Sequence, residues 1–225
     1  MIQFYFNPGP NPMKVALMLE EAGLAYEAVP VDMLAGEQHT PRFLAINPNA
    51  KVPAIVDGDA VVFDSNAILL YLAEKTGQFL GAPADRPAML SWLMFVATGL
   101  GPYSGQSVHF SRGHTDSAYA TNRYRREAER HYDVLDARLA QVPFLAGGDY
   151  GIADMAGWGW IDRRTNVLGS DVDLGRWSNL ARWLAAIEAR PAVERARKVG
   201  AGHAWKNTFD EAAQHAMFPQ NFPVA

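Results

Sequence analysis

The hydrophobic pattern of this 225-residue chain changes character close to residue 80. Before that point, short runs with the alternation of strands are interspersed with stretches of helical spacing, and after residue 86 only helical spacing remains. The segment 76–85 contains two glycines and a proline, which is typical of a connecting loop. The pattern therefore predicts a mixed α/β domain over residues 1–77, a linker over 78–85 and an all-helical domain over 86–225.

The first part of the chain predicts strands and helices in alternation. Apolar and polar side chains alternate over residues 2–6, as in a half-buried strand, and helical spacing over 15–22 ends at Gly23. A second short strand is expected at 26–31, and a short helix near 40–45. A β-α-β crossover of this kind joins parallel strands and is right-handed.

The clearest local signal is Asp57-Gly58, which lies between the apolar runs 52–56 and 60–63 and predicts a tight antiparallel hairpin. A helix is expected after the hairpin, ending before Gly77. The resulting order, β-α-β-α-β-β-α, is the arrangement of a thioredoxin-like domain. The expected fold class is therefore an α/β domain of that type followed by an all-α domain.

Three long apolar patterns mark the helical half. Residues 124–139 and 180–187 carry one-sided apolar stripes, and the second stripe ends before Pro191. Residues 152–168 are apolar nearly all round, which predicts one central buried helix. The aromatic residues after Gly200 could cover a site or pack on a partner subunit, and the sequence leaves both open.

The composition excludes several classes of function. The chain has no cysteine, so it has no disulfide, no thiolate metal site and no sulfur nucleophile of its own. Its formal net charge is −4, which argues against a nucleic-acid partner. The six histidines lack paired metal-ligand spacing, so no metal is expected. The chain has neither an apolar run of roughly 18 residues nor a signal peptide, so we expect a cytoplasmic protein without membrane contact.

The loop 7–14 has three prolines around Asn11 and joins the first strand to the first helix. Asn11 is expected to be the N-cap, with Pro12 at the first helical position. The remaining donors are the backbone N–H groups of Gly9, Asn11, Met13 and Lys14, together with the Asn11 amide. Free donors at a helix N-terminus favour an anion, although simple capping is the alternative.

Two further loops carry candidate binding groups. A cis Val52-Pro53 bond would leave the Val52 backbone free to pair with a ligand backbone, whereas a trans proline on an edge strand is the alternative. Asp64 or Ser65 can cap the third helix, whose N-terminus would accept a ligand carboxylate while Asp64 pairs with an ammonium. An ordinary helix cap is the alternative at this position.

Several short motifs occur in a specific order along residues 1 to about 195. They are Pro10-Asn11, Lys14, Leu19-Glu20-Glu21, Val31-Asp32, Gln38, Asn47-Pro48-Asn49, residues 51–57 and 67–77, then Gly99-Leu100-Gly101-Pro102, Gly105-Gln106, His109-Phe110, Arg123-Tyr124 and Ile152-Ala153-Asp154. This ordered set resembles the glutathione S-transferase family. It is most similar to the Nu class, whose members have glutathione-dependent disulfide-bond oxidoreductase activity.

The resemblance implies a cytosolic glutathione transferase fold and a homodimer that binds glutathione. The site residues that it implies are Gly9 and Asn11 at the sulfur, Val52 and cis Pro53 at the cysteinyl residue, Asp64 and Ser65 at the γ-glutamyl end, Gln38 and Lys51 toward the glycyl carboxylate, and Arg123 as a further contact. Two positions depart from the family pattern. Gly9 stands where the Nu class usually has Thr, and Gly151 stands where a Ser or Thr usually caps the buried helix.

The mechanism expected from this resemblance uses a sulfur that the ligand brings. A free thiol has a pKa of about 8.5, so little of it is ionised at neutral pH. We expect Asn11 to be the main side chain that stabilises the thiolate of bound glutathione, and Tyr5, which alternation puts mid-strand, to pack in the sheet. The activity expected is disulfide reduction or conjugation to a small electrophile. A thioether or aryl-ether lyase and a non-catalytic glutathione-binding module are the alternatives.

Overall fold

A four-stranded mixed sheet organises the N-terminal half of the computed structural model, which describes residues 1–112 and 116–222. The strands are β1 (Ile2–Phe6), β2 (Tyr26–Pro30), β3 (Ala54–Asp57) and β4 (Ala60–Phe63). Their order in the sheet is β2-β1-β3-β4; β1 pairs with β2 in parallel, and the β1–β3 and β3–β4 pairs are antiparallel. The predicted parallel pairing of the first two strands and the predicted antiparallel hairpin are both confirmed.

Three helices connect these strands: α1 (Pro10–Glu21), α2 (Pro41–Leu44) and α3 (Ser65–Thr76). One side of the sheet and the apolar residues of α1 and α3 join the main hydrophobic core. The other side carries a smaller cluster that contains Tyr5, Val31, Phe43, Val52 and Ala54. Tyr5 is buried in that cluster, so its predicted packing role is confirmed.

The C-terminal half is helical in the described residues. Its helices are α4 (Arg86–Phe95), a π-helical turn (Val96–Leu100), α5 (Gly101–Ser111), α6 (Ala118–Leu139), α7 (Ile152–Ile161), α8 (Arg164–Leu168), α9 (Ser178–Glu188), α10 (Pro191–Lys198) and α11 (Glu211–Met217). No helix in the described ranges is long and apolar enough to cross a membrane. The division at 78–85 stays a prediction, because one apolar core runs through both halves.

The central helix α7 is buried along its whole length, as its apolar pattern predicts. The single helix expected over 152–168 is wrong in its extent, because the chain turns at Asp162 and Arg163 before α8 begins. Gly159 lets α7 approach α1 closely. A Cβ at Gly159 would lie 2.6 Å from the carbonyl oxygen of Pro10 and 2.6 Å from Cγ of Lys14. This close approach fixes the N-terminal end of α1 against the helical half.

The start of α7 is held by a buried carboxylate. Asp154 accepts hydrogen bonds from the backbone N–H groups of Gly151 and Leu145 and from Nε1 of Trp183. Burial raises the pKa of Asp154 to about 6, and these three donors act in the opposite direction. A Cβ at Gly151 would lie 2.7 Å from the carbonyl oxygen of Phe79. Glycine at this departure from the family pattern is therefore required by the local packing.

Candidate active site

A cavity of about 550 Å³ opens where the β1–α1 loop, the start of α3 and α5 meet. We call it the main cavity. Of the residues that the sequence predicts for the site, it brings together Gly9, Asn11, Lys51, Val52, Asp64 and Ser65. Lys14 and Trp160 also line it, although neither side chain is among the predicted site residues.

The β1–α1 loop differs from its predicted geometry. Helix α1 begins at Pro10 with Gly9 as the N-cap, so the expectation that Asn11 is the N-cap is wrong. The N–H of Gly9 donates to Oδ1 of Asn7 at 2.9 Å, and the N–H of Met13 donates to the carbonyl of Gly9 at 3.2 Å. Helix α1 also engages the N–H of Lys14, so three of the four backbone donors expected for an anion are already used.

The orientation of the Asn11 amide is fixed by Trp160. The indole Nε1 of Trp160 donates to Oδ1 of Asn11 at 3.1 Å. Because an indole N–H can only donate, the amide atom that faces it must be the oxygen. Nδ2 of Asn11 is thereby left as a donor, and it has no hydrogen-bond partner among the described residues. An amide with a fixed, unused donor at the mouth of a helix can stabilise an anion in the cavity.

The space beside Gly9 is filled by Asn7. A Cβ at Gly9 would lie 2.7 Å from Oδ1 of Asn7, and Gly9 itself has an extended backbone that other residues adopt readily. The side chain of Asn7 therefore occupies the position where the Nu-class threonine would begin. The loop replaces a side-chain hydroxyl with an internal hydrogen bond.

The segment before β3 borders the same cavity. The Val52–Pro53 peptide bond is cis, as the resemblance implies. The side chain of Val52 packs in the smaller cluster beneath the sheet, and Lys51 is exposed. The carbonyl of Lys51 accepts a hydrogen bond from Nδ2 of Asn47, which holds the segment in place.

Helix α3 points its N-terminus into the main cavity. Asp64 is its N-cap, with a φ of 72°, and its Oδ1 accepts hydrogen bonds from the N–H groups of Asn66 and Ala67. Ser65 and Asn66 are buried, and Oδ1 of Asn66 has no hydrogen-bond partner among the described residues. The remaining oxygen of Asp64, the helix N-terminus and the free acceptor of Asn66 can together hold a zwitterionic group.

Lys14 is a cation of this cavity that sequence reasoning missed. It is 1% exposed, and its Nζ lies 3.4 Å from Oγ of Ser65. Burial lowers the pKa of Lys14 to about 7, while the charge of Asp64 opposes this shift. The sequence placed Lys14 among the ordered motifs and one turn after Asn11. Neither signal predicts a buried side chain, because lysine is rarely buried and its burial here depends on the packing against α7.

Gln38 is covered by the C-terminal tail, which we define as residues 200–222. Its Nε2 donates to the carbonyl of Ala216 in α11 at 2.8 Å, and its Oε1 has no partner in the described chain. Gln38 and Lys51 border a second cavity of about 450 Å³ whose other wall includes Met217 and Phe218. The tail therefore packs on this chain's own site and occupies the amide nitrogen that was expected to reach a ligand.

Comparison with known proteins identifies the family of this chain. Residues 1–74 match the family model of the glutathione S-transferase N-terminal domain, and residues 118–186 match that of the C-terminal domain. Disulfide-bond oxidoreductase YfcG of Escherichia coli (strain K12) is 44% identical over 205 residues, which cover 87% of this chain and 94% of that protein. The chain belongs to the glutathione S-transferase family.

Solved structures of other members have the same fold. A family member from Pseudomonas fluorescens pf-5 with two glutathione bound has a TM-score of 0.83 at 39% identity and covers 88% of this chain and 92% of its own. The glutathione transferase from Pseudomonas putida, with one glutathione disulfide bound per subunit, has a TM-score of 0.80 at 36% identity and covers 88% and 91%. The chain has the family's thioredoxin-like domain followed by a helical domain.

Arg123 lies apart from the other predicted residues of this glutathione S-transferase. It stands on α6, about half exposed, and its guanidinium makes an ion pair with Glu127 at 3.2 Å. It lines neither the main cavity nor the second cavity. Its role as a ligand contact stays a prediction.

A third cavity of about 430 Å³ adjoins the main cavity and shares Gly9, Pro10 and Trp160 with it. Its walls are largely apolar, and the side chains of Arg112, Arg163 and Lys206 stand among them. Within residues 1–112 and 116–222, no group of three or more His, Asp or Glu residues could hold a metal ion.

Proposed function

We propose that this protein binds glutathione in the main cavity and uses its thiolate to reduce disulfides, with conjugation to small electrophiles as a second activity of the same nucleophile. The observation that carries the proposal is the fixed amide of Asn11, a residue that lines the cavity and has an unused Nδ2, in a chain without cysteine. Support also comes from the relatives, since YfcG and YghU of Escherichia coli are both named disulfide-bond oxidoreductases.

The charges of the cavity suit glutathione, which carries two carboxylates and one ammonium. Asp64 and the free acceptor of Asn66 suit the ammonium, whereas Lys14, Lys51 and the N-terminus of α3 suit carboxylates. The backbone of Val52, ahead of the cis peptide bond, is available to pair with the cysteinyl backbone. In this arrangement the sulfur lies toward Asn11 and the β1–α1 loop.

The proposed reaction proceeds in two exchanges. The glutathione thiolate attacks one sulfur of the substrate disulfide, which forms a glutathione–substrate mixed disulfide and releases the other half as a thiol once it takes a proton. A second glutathione thiolate then attacks the glutathionyl sulfur, which yields glutathione disulfide and the second substrate thiol. The third cavity, beside Gly9, has room for the second substrate. The structure from Pseudomonas fluorescens with two glutathione bound supports this stoichiometry.

We further propose that the protein is a homodimer in the cytoplasm. Strand β4 is an edge strand, and its Val61 and Phe63 are 49% and 42% exposed. Large exposed apolar side chains on a sheet edge are typical of a surface that a second copy covers. Light scattering after size-exclusion chromatography tests the assignment, and Phe63→Asp is expected to yield monomers. A chain without cysteine is compatible with a reducing compartment.

The test of the function compares two substrates in one preparation. Reduction of hydroxyethyl disulfide is measured by coupling glutathione disulfide to NADPH and glutathione reductase, and conjugation is measured with chlorodinitrobenzene. We expect both rates above the uncatalysed background, with disulfide reduction the faster. Conjugation without disulfide turnover would refute the reductase assignment. Glutathione binding without turnover of disulfides, electrophiles or aryl ethers would instead identify a binding module.

A further inference from the structure

Lys14 is buried without a counter-charge. Its side chain is 1% exposed, and its one described hydrogen bond is the 3.4 Å contact with Oγ of Ser65. No carboxylate of the described residues lies within ion-pair distance of Nζ. Burial of an ammonium without a partner is unfavourable and favours the neutral amine, and an anionic ligand that enters the cavity would favour the charged form.

Among the elements packed around Lys14, Asp64 is the charged residue that acts on the Lys14 side chain. On α7, Gly159 packs against the stem of Lys14. The titratable residue of that helix, Asp154, lies at its other end and accepts hydrogen bonds there. On α10, Arg195 pairs with a glutamate at the far end of α1. Asp64 itself is exposed, and one of its oxygens caps α3. The protein therefore supplies no full charge partner for a protonated Lys14.

A second unused group lies at the same end of the cavity. Oδ1 of Asn66 is buried without a hydrogen-bond partner in the described chain, and Asn66 lines the main cavity with Lys14. The ammonium form of Lys14 can only donate, whereas this oxygen can only accept. The pair therefore matches an α-amino acid, which carries a carboxylate and an ammonium on one carbon. Lys14 can donate to the carboxylate, and Oδ1 of Asn66 can accept from the ammonium.

We propose that the ammonium of Lys14 pairs directly with the α-carboxylate of the γ-glutamyl end of glutathione, and that Lys14 takes up a proton from solvent when this carboxylate docks. The inference rests on the proposed function, which it deepens by assigning the group that recognises the γ-glutamyl end. In the free protein burial holds the pKa of Lys14 at about 7, so most of the side chain is neutral at pH 8. A carboxylate beside Nζ favours the charged form and drives the uptake.

The test counts protons by calorimetry at pH 8 in phosphate and in Tris, whose ionisation enthalpies differ. The probe is γ-glutamyl-aminobutyryl-glycine, in which a methyl group replaces the thiol, so no thiol proton contributes. We expect a net proton uptake on binding, since a group with a pKa of about 7 is mostly neutral at pH 8. An analogue in which γ-aminobutyrate replaces the γ-glutamyl residue lacks the α-carboxylate and is expected to bind without uptake.

Two variants separate Lys14 from other cations. Lys14→Met keeps the apolar stem, and it is expected to abolish the uptake and to weaken binding of the methyl probe by about tenfold or more at pH 7. Lys51→Met removes a cation of the same cavity and is expected to leave the proton count unchanged. The two analogues test the role of the α-carboxylate with the unmodified protein. The inference therefore stays testable even if a variant fails to fold.

The outcomes distinguish the inference from the function. Absence of binding by both glutathione and the methyl probe would refute the proposed function. Binding of the methyl probe without proton uptake, or with the same uptake in Lys14→Met, would overturn the role of Lys14 and leave glutathione binding intact. Equal uptake with the analogue that lacks the α-carboxylate would likewise overturn the inference.

Discussion

Replacement of Asn11 by alanine is expected to raise the pKa of the bound glutathione thiol. The structure fixes Oδ1 of Asn11 on the indole of Trp160 at 3.1 Å and leaves Nδ2 as the side-chain donor at the β1–α1 corner of the cavity. A hydrogen bond to a charged group contributes about 1.5–3 kcal/mol. Since one pKa unit corresponds to about 1.36 kcal/mol, Asn11→Ala should raise the thiol pKa by about 1–2 units.

The assay follows the ultraviolet absorbance of the thiolate in the protein–glutathione complex as a function of pH. The pH dependence of kcat/KM for disulfide reduction is measured in parallel. Binding of the thiol-free methyl probe serves as the control, because Asn11→Ala should leave it nearly unchanged. With these measurements, a loss of sulfur stabilisation is separated from a loss of ligand binding.

Two further variants test the geometry. Asn11→Asp retains an oxygen for Nε1 of Trp160 but replaces the donor with a negative charge, so the thiol pKa should rise further than in the alanine variant. Trp160→Phe removes only the anchor of the amide, and a rise of less than about 1 unit is expected. A thiol pKa within about 0.3 unit of the unmodified protein in Asn11→Ala, or a lower pKa in Asn11→Asp, would refute the reasoning.

Three more perturbations have definite expected outcomes. Gly151→Ser should lower the free energy of unfolding by about 1–3 kcal/mol, because its Cβ would lie 2.7 Å from the carbonyl oxygen of Phe79; a Tm equal to that of the unmodified protein would contradict the packing argument. The pKa of Asp154 is about 6 in the folded protein and lies near its ordinary value of 3.8 in the unfolded chain. Between these pH values the folded state binds more protons than the unfolded state. The free energy of unfolding should therefore fall by up to about 3 kcal/mol as pH rises from about 4 to about 6. Urea titrations at the two pH values should show this step in the unmodified protein and not in Asp154→Asn. Deletion of residues 207–225 frees Nε2 of Gln38 from Ala216, and calorimetry should find glutathione bound several-fold more tightly; unchanged or weaker binding would argue against Gln38 as a ligand contact.

The strand and helix order was readable from the sequence because it depends on local periodicity. The Asp57-Gly58 signal and the alternation over residues 2–6 correspond to the β3–β4 hairpin and to β1. The continuous apolar character of α7 identified it as the buried helix. Its end was predicted too late, because the apolar residues Val167 and Leu168 were included in the same helix although the backbone turns at Asp162 and Arg163.

Local capping rules were a weaker guide at the site. Asn is a good N-cap and Pro12 suits a first helical position, yet the helix begins two residues earlier, at Pro10, whose ring suits that position equally well. The decisive interaction is the hydrogen bond from Gly9 to Oδ1 of Asn7, which ties up the preceding loop. Sequence reasoning named the right loop and the donor amide of Asn11, but it counted backbone N–H groups as free that the loop and the helix already use.

The sequence by itself determined the two halves, the order of the strands and the loops that border the site, because periodicity and turn residues act over a few neighbouring positions. Only the tertiary structure decided which groups meet across that site. Trp160 is 149 residues from the Asn11 amide that it orients, and the tail carbonyl on Gln38 is 178 residues away from it in the chain. The stem of Lys14 packs against Gly159 of α7, where a Cβ would lie 2.6 Å from its Cγ. Such contacts depend on how separate elements pack, and no local pattern along the chain encodes them.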